Sequence, residues 1–131
     1  MGGHPQGHPA GDGHPGPGAR PPRVLEDGSP ACRLIAWEVT RSCNLACRHC
    51  RAEAHPEPYE GELTTAEAKA LIDTFPEVGD PIVIFTGGDP MMRPDVYELV
   101  AHARGLGLTC AFAPNGTLIT AENAERLREV G

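Results

Sequence analysis

Pro81-Ile82-Val83-Ile84-Phe85-Thr86, followed at once by Gly87-Gly88-Asp89-Pro90, is the stretch on which the fold turns. A short run of β-branched and aromatic residues reads as a buried parallel strand. The glycines and proline break it. Downstream, Val96, Leu99, Val100 and Ala103 recur at helical spacing, with Pro94 near that helix's start and Gly105 at its end. Leu108 to Ala113 reads as a further strand and Pro114-Asn115-Gly116-Thr117 as a turn. A last helix begins at Thr120, with Leu127 and Val130 on one face.

Upstream the same alternation holds. Leu34, Ile35, Ala36, Trp37 and Val39 form a first apolar run, and a cysteine-bearing loop covers 41–56. Thr64-Thr65-Ala66-Glu67 fits a capping box, in which Thr64 and Glu67 satisfy free amides at a helix start. Ala68, Leu71, Ile72 and Phe75 give that helix one apolar face, and Pro76 stops it. The order βα, βα, βα predicts an α/β fold with a parallel sheet and right-handed crossovers. Such a sheet corresponds to about half of a TIM-type barrel. Residues 31–131 are expected to form this unit. Residues 1–30 are rich in Gly, Pro and His and poor in large apolar side chains. Nothing there offsets the entropy of ordering, so a disordered extension is expected. Its histidines could bind a metal ion loosely or simply be solvated.

At 131 residues the chain has room for one domain with a modest core. Its formal net charge of -7 does not favour nucleic acid or anionic lipid as a partner. No apolar run approaches the ~20 residues of a membrane span, and the first residues lack the apolar core of a signal peptide. A soluble, cytoplasmic location is expected. Cys32 and Cys110 each stand alone in apolar surroundings and read as small buried hydrophobes.

The other cysteines, Cys43, Cys47 and Cys50, crowd one loop. Thiolates so spaced can converge on a 4Fe-4S cluster, leaving one iron open to another ligand. Zinc is an alternative, with His49 or His55 as fourth ligand, although structural zinc sites usually pair their ligands across a longer loop. A single nucleophilic cysteine is another, but has no need of the other two. In parallel α/β barrels the working loops follow the strands' C-terminal ends. The cysteine loop, Gly87-Gly88-Asp89 and Pro114-Asn115-Gly116 should therefore share one rim.

Cys43-Asn44-Leu45-Ala46-Cys47-Arg48-His49-Cys50 resembles the CxxxCxxC loop of the radical S-adenosylmethionine (SAM) superfamily. Gly87-Gly88-Asp89-Pro90 resembles the superfamily's GGE motif, with Asp89 in place of the usual Glu. Trp37-Glu38-Val39-Thr40 and Arg93-Pro94-Asp95 look like the branch of heme-pathway and cofactor- or peptide-maturing enzymes, which often carry a C-terminal SPASM-type domain. The resemblance implies the first three βα units of a radical SAM barrel, without the later SAM-contacting strands. An inactive fragment is the corresponding alternative. It further implies that Cys43, Cys47 and Cys50 ligate three irons while SAM chelates the fourth. Gly87, Gly88 and Asp89 would bind the SAM amino group through backbone carbonyls and the Asp carboxylate, and Asn115 would touch SAM or substrate. A flavodoxin or ferredoxin-type donor would supply the electron that cleaves SAM to a 5′-deoxyadenosyl radical, which takes a hydrogen from an unidentified substrate. Arg48 and Arg51 could temper the cluster's charge or be surface residues. Trp37 reads as packing and His102 as solvated.

Overall fold

The computed structural model describes residues 23–131. Most of the expected disordered extension, with its histidines, therefore lies outside the described residues. Residues 23–30, assigned to that extension from composition, instead make a hydrogen-bonded turn. Asp27 accepts from the Ser29 amide and hydroxyl, and the Ala31 amide reaches the Arg23 carbonyl at 2.9 Å. Arg23 also pairs with Asp80, tying the turn to the sheet.

Three strands, β1 (Cys32–Thr40), β2 (Gly79–Gly87) and β3 (Thr109–Phe112), form one parallel sheet in the order β1-β2-β3. Helices α1 (Thr65–Thr74), α2 (Val96–Gly105) and α3 (Ala121–Val130) alternate with them. This is the α/β start of a partial TIM-type barrel, as expected. The capping box at Thr64 and Glu67 is present in full. Pro76 does not end the chain's helical course at once: α1 passes into a 3-10 turn over Phe75–Val78. Proline is tolerated there because an early position in a turn needs no amide donor.

The helices cover one face of the sheet. Ile35, Trp37 and Val39 of β1, Val83 and Phe85 of β2, and Cys110 and Phe112 of β3 point into a core shared with Ala68, Ile72, Val96, Leu99, Val100 and Ala103. Trp37 packs edge-on to Phe75 and tilted against Phe85, with centroids 6.1 and 5.9 Å away. On the opposite face Leu34 and Ile82, which pair in register, are exposed. The run at 81–86 is thus buried on one side only, because side chains alternate across a strand and the helices lie on a single face. Leu71, expected on α1's buried face, is exposed, while Ala68, Ile72 and Phe75 are buried. His102 is not free in solvent: its Nε2 lies 2.7 Å from Asp73 Oδ1, linking α2 to α1 beside the Lys69–Glu98 pair. Cys32 and Cys110 are half-buried rather than buried, and burial pushes the Cys110 thiol up.

Arg93 is the buried cation of the fold, 6% exposed. Its guanidinium grips both oxygens of Asp95 at 2.7 and 3.0 Å, the Val39 carbonyl at 2.9 Å and the Leu63 carbonyl at 2.8 Å. One side chain thereby joins the end of β1, the approach to α1 and the start of α2. Burial raises the Asp95 carboxyl, but hydrogen bonds from Arg93 and Thr65, with the Arg93 charge, more than offset this and hold it below its ordinary value. A depressed folded-state pKa gives stability that is complete above the unfolded value, about 4, and lost as pH falls through the folded value. Asp95→Asn should be less stable than wild type in urea at neutral pH, with the gap closing on acidification below about pH 4. An unchanging gap would show that the ion pair contributes nothing.

Candidate cluster-binding site

The loops that follow the three strands meet at one rim. The cysteine loop leaves β1 at Thr40 and is stitched shut by a parallel bridge between Ser42 and His55. The Cys43 amide donates to the His55 carbonyl at 2.7 Å, and the His55 amide to the Arg41 carbonyl at 3.0 Å. Glu62 braces its base, one oxygen accepting from the Thr40 hydroxyl at 2.8 Å and the Arg41 amide at 3.0 Å. Ser42 is buried and donates its hydroxyl to the Pro56 carbonyl at 3.0 Å.

Cys43 sits in the wall of this rim, 7% exposed, whereas Cys47 and Cys50 project from the loop and are exposed. The Cys50 amide donates to the Cys47 carbonyl at 3.1 Å, holding the last two cysteines in a tight turn. Among the described residues no group of three or more His, Cys, Asp or Glu side chains converges as ligands of a single ion. His49 and His55 are exposed. Arg51 pairs with Glu38 at 2.9 Å and Arg48 is exposed.

The second loop presses directly on the first. The Gly88 amide donates to the Thr40 carbonyl at 2.9 Å and the Asp89 amide to the Ser42 carbonyl at 2.8 Å. A Cβ on Gly87 would lie 2.1 Å from the Thr40 carbonyl oxygen, and Gly87 also has φ +133. A Cβ on Gly88 would lie 2.4 Å from the Ser42 oxygen and 2.5 Å from that of Arg41. The glycines are therefore demanded by the cysteine loop's own backbone, beyond any ligand.

Asp89 is fully buried. Its Oδ1 accepts from the Met91 amide at 2.8 Å and its Oδ2 from the Asn115 amide at 2.9 Å. The group is enclosed, and main-chain amides engage both oxygens, so it clasps the second loop to the third. Asn115 in turn directs its side chain at the cysteine loop. Its Nδ2 lies 2.8 Å from Asn44 Oδ1 and 3.6 Å from Cys43 Sγ. Arg93, Glu62, Asn44 and Thr117 were not singled out as contributors to the rim. Arg93, Asn44 and Thr117 stand inside stretches that the sequence marks, at Arg93-Pro94-Asp95, the cysteine loop and the Pro114–Thr117 turn, whereas Glu62 stands in none.

A family model described as "Radical SAM superfamily" matches residues 37–131. An "AdoMet-dependent heme synthase" of Oleidesulfovibrio alaskensis is 70% identical, the match covering 98% of this chain and 35% of that protein. A protein of the same description from Nitratidesulfovibrio vulgaris is 72% identical over 88% of this chain and 31% of its own length. An "Fe-coproporphyrin III synthase" of Methanosarcina barkeri is 44% identical over 85% of this chain and 28% of its own. The chain spans about a third of the length of the first of these curated relatives.

The close approach of the two loops makes a direct prediction. Gly88→Ala must push main chain against main chain and should lower the urea midpoint substantially. Gly105→Ala, where an added Cβ meets nothing within 4 Å, should be neutral or stabilising by up to about 1 kcal/mol. Equal midpoints for the two variants would show that the loops can separate at no cost.

Proposed function

The chain belongs to the radical SAM superfamily, and from that premise we propose that it is the cluster-bearing part of an enzyme that cleaves SAM reductively in heme biosynthesis. The observation that carries this reading is the meeting of three strand-end loops, with the base of the first, Thr40–Ser42 just ahead of Cys43, fixed against the Gly87-Gly88-Asp89 backbone of the second. The identity of 70% to a heme synthase supports the heme pathway and a heme precursor as substrate.

The residues fit a 4Fe-4S cluster by the chemistry of their donors. Three thiols on one closed loop can each meet a separate iron of one cluster. A single zinc ion would need a fourth ligand beside the three thiols, His49 or His55, and both are exposed. Cys43, Cys47 and Cys50 would hold the cluster. Together the cluster and SAM supply one-electron cleavage of a carbon–sulfur bond and the 5′-deoxyadenosyl radical that takes a substrate hydrogen. The Gly87–Asp89 main chain would receive the SAM amino group through its carbonyls, with the Asp89 carboxylate keeping that main chain in place. The buried Cys43 wall limits water at one side of the site. A flavodoxin or ferredoxin-type donor would deliver the electron at the exposed Cys47–Cys50 turn. No helix among the described residues is long and apolar enough to cross a membrane, and we place the protein in the cytoplasm, where thiols stay reduced.

Electron paramagnetic resonance of the anaerobically reconstituted, dithionite-reduced full-length protein tests this reading. A 4Fe-4S signal that changes on adding SAM is expected. Cys47→Ala should lose SAM cleavage entirely, read as 5′-deoxyadenosine. Zinc in place of iron, or undiminished cleavage by Cys47→Ala, would overturn the reading.

A further inference from the structure

We propose that Asn115 is a hydrogen-bond donor to the Cys43 sulfur, held in place by a polar ring with Asn44 and Thr117, and that it sets the reduction potential of the cluster. The inference rests on the reading that Cys43 is a cluster ligand.

The orientation of Asn115 follows from its neighbours. The Thr117 main-chain N–H, which can only donate, lies 2.9 Å from Asn115 Oδ1. The side-chain amide is thereby fixed with its oxygen towards Thr117 and its NH2 away from it. The Thr117 hydroxyl has a single proton. Its nearest acceptor is Asn115 Oδ1 at 2.7 Å, with Asn44 Oδ1 further off at 3.2 Å. Asn44 Nδ2 donates to the Thr117 hydroxyl oxygen at 2.8 Å, and Asn115 Nδ2 donates to Asn44 Oδ1 at 2.8 Å. The ring closes with one donor from each of its three side chains. It consumes one proton of the Asn115 NH2. The other is left for Cys43 Sγ, 3.6 Å from Nδ2.

Cys43 Sγ also receives the Leu45 main-chain amide at 3.4 Å. Two N–H groups thus face the cysteine that is buried, where a hydrogen bond has little competition from water. The Asp89 carboxylate fixes the Asn115 backbone from below through the 2.9 Å bond to its amide. Asn115 is therefore anchored at main chain and side chain alike, an expense of order that a plain surface turn does not require.

The physical consequence has a sign. A reduced cluster carries one more negative charge than an oxidised one, and N–H donors to its sulfur ligands stabilise the more negative state. Removing the donor should make reduction harder. The test is the midpoint potential of the reconstituted full-length protein without SAM, for wild type, Asn115→Leu and Thr117→Val. Omitting SAM separates this role from direct contact with SAM, which would leave the SAM-free potential unmoved. Asn115→Leu should lower the reduced-to-oxidised ratio at fixed potential by on the order of threefold. Thr117→Val, which takes the hydroxyl out of the ring but keeps the main-chain N–H on Asn115 Oδ1 and does not touch Cys43, should move it less in the same direction. A cluster in all three proteins with the same potential would overturn this inference and leave the cluster assignment standing. Absence of a cluster from the wild type would overturn both.

Discussion

Main chain against main chain, at Gly87 and Gly88 over Thr40 to Ser42, is the contact that the rim depends on. Parallel strands set neighbouring backbones a fixed distance apart, but that spacing lapses where the ladder ends. Here a shift of register between Glu38 and Thr40 sets Thr40 against Gly87 at the strands' last residues, and amide bonds from Gly88 and Asp89 to Thr40 and Ser42 carry the pairing past that end. A side chain at either glycine would push the cysteine loop off the sheet. The position of Cys43, one residue beyond Ser42, is therefore set by the sheet itself rather than by the rest of its loop.

Two buried charges extend this order in different directions. Arg93 works outward, joining the end of β1 to the entries of α1 and α2 through carbonyls at Val39 and Leu63 and the carboxylate of Asp95. Asp89 works along the rim, joining the second loop to the third. Burying an ion costs several kcal/mol unless its hydrogen-bonding capacity is met. Arg93 has three partners for its guanidinium, and Asp89 has one main-chain amide on each carboxylate oxygen. Both devices fix geometry around the same strand ends, so the helical layer and the rim cannot shift independently.

The parts visible in the sequence are those written locally. The Thr64–Glu67 capping box needs only residues three apart, and the buried face of α2 follows from its period. The crowding of Cys43, Cys47 and Cys50 marks the site for the same reason. Leu71 misled because a helix lying on one side of a sheet buries a narrower stripe than its apolar residues span. The glycine pair was visible as a break, but the cause lies in a backbone more than forty residues upstream, which no local pattern reveals. The Asn44–Asn115 bond joins residues 71 apart in polar, exposed surroundings, and neither period nor composition marks it. Buried Arg93 is similarly hidden, since arginine in a loop ordinarily reads as solvated.

The aspartate at position 89 then has an explanation that spacing could not provide. Its Oδ1 reaches the amide two residues on, at Met91, and so caps the 3-10 turn Pro90–Met92. Short side chains make that local bond well, because a β-carbon alone separates carboxylate from backbone. A glutamate carries one methylene more and would have to fold back to make it, or give it up and leave the Met91 amide unmet. The second oxygen is then in place for Asn115, and through Asn115 for the ring that faces Cys43. Each carboxylate oxygen retains a further lone pair, but with the group fully enclosed those sites open only if the rim opens. The acidic residue in this loop is thus fitted to hold the surfaces that would meet a ligand, and the open acceptors fall to the neighbouring main chain.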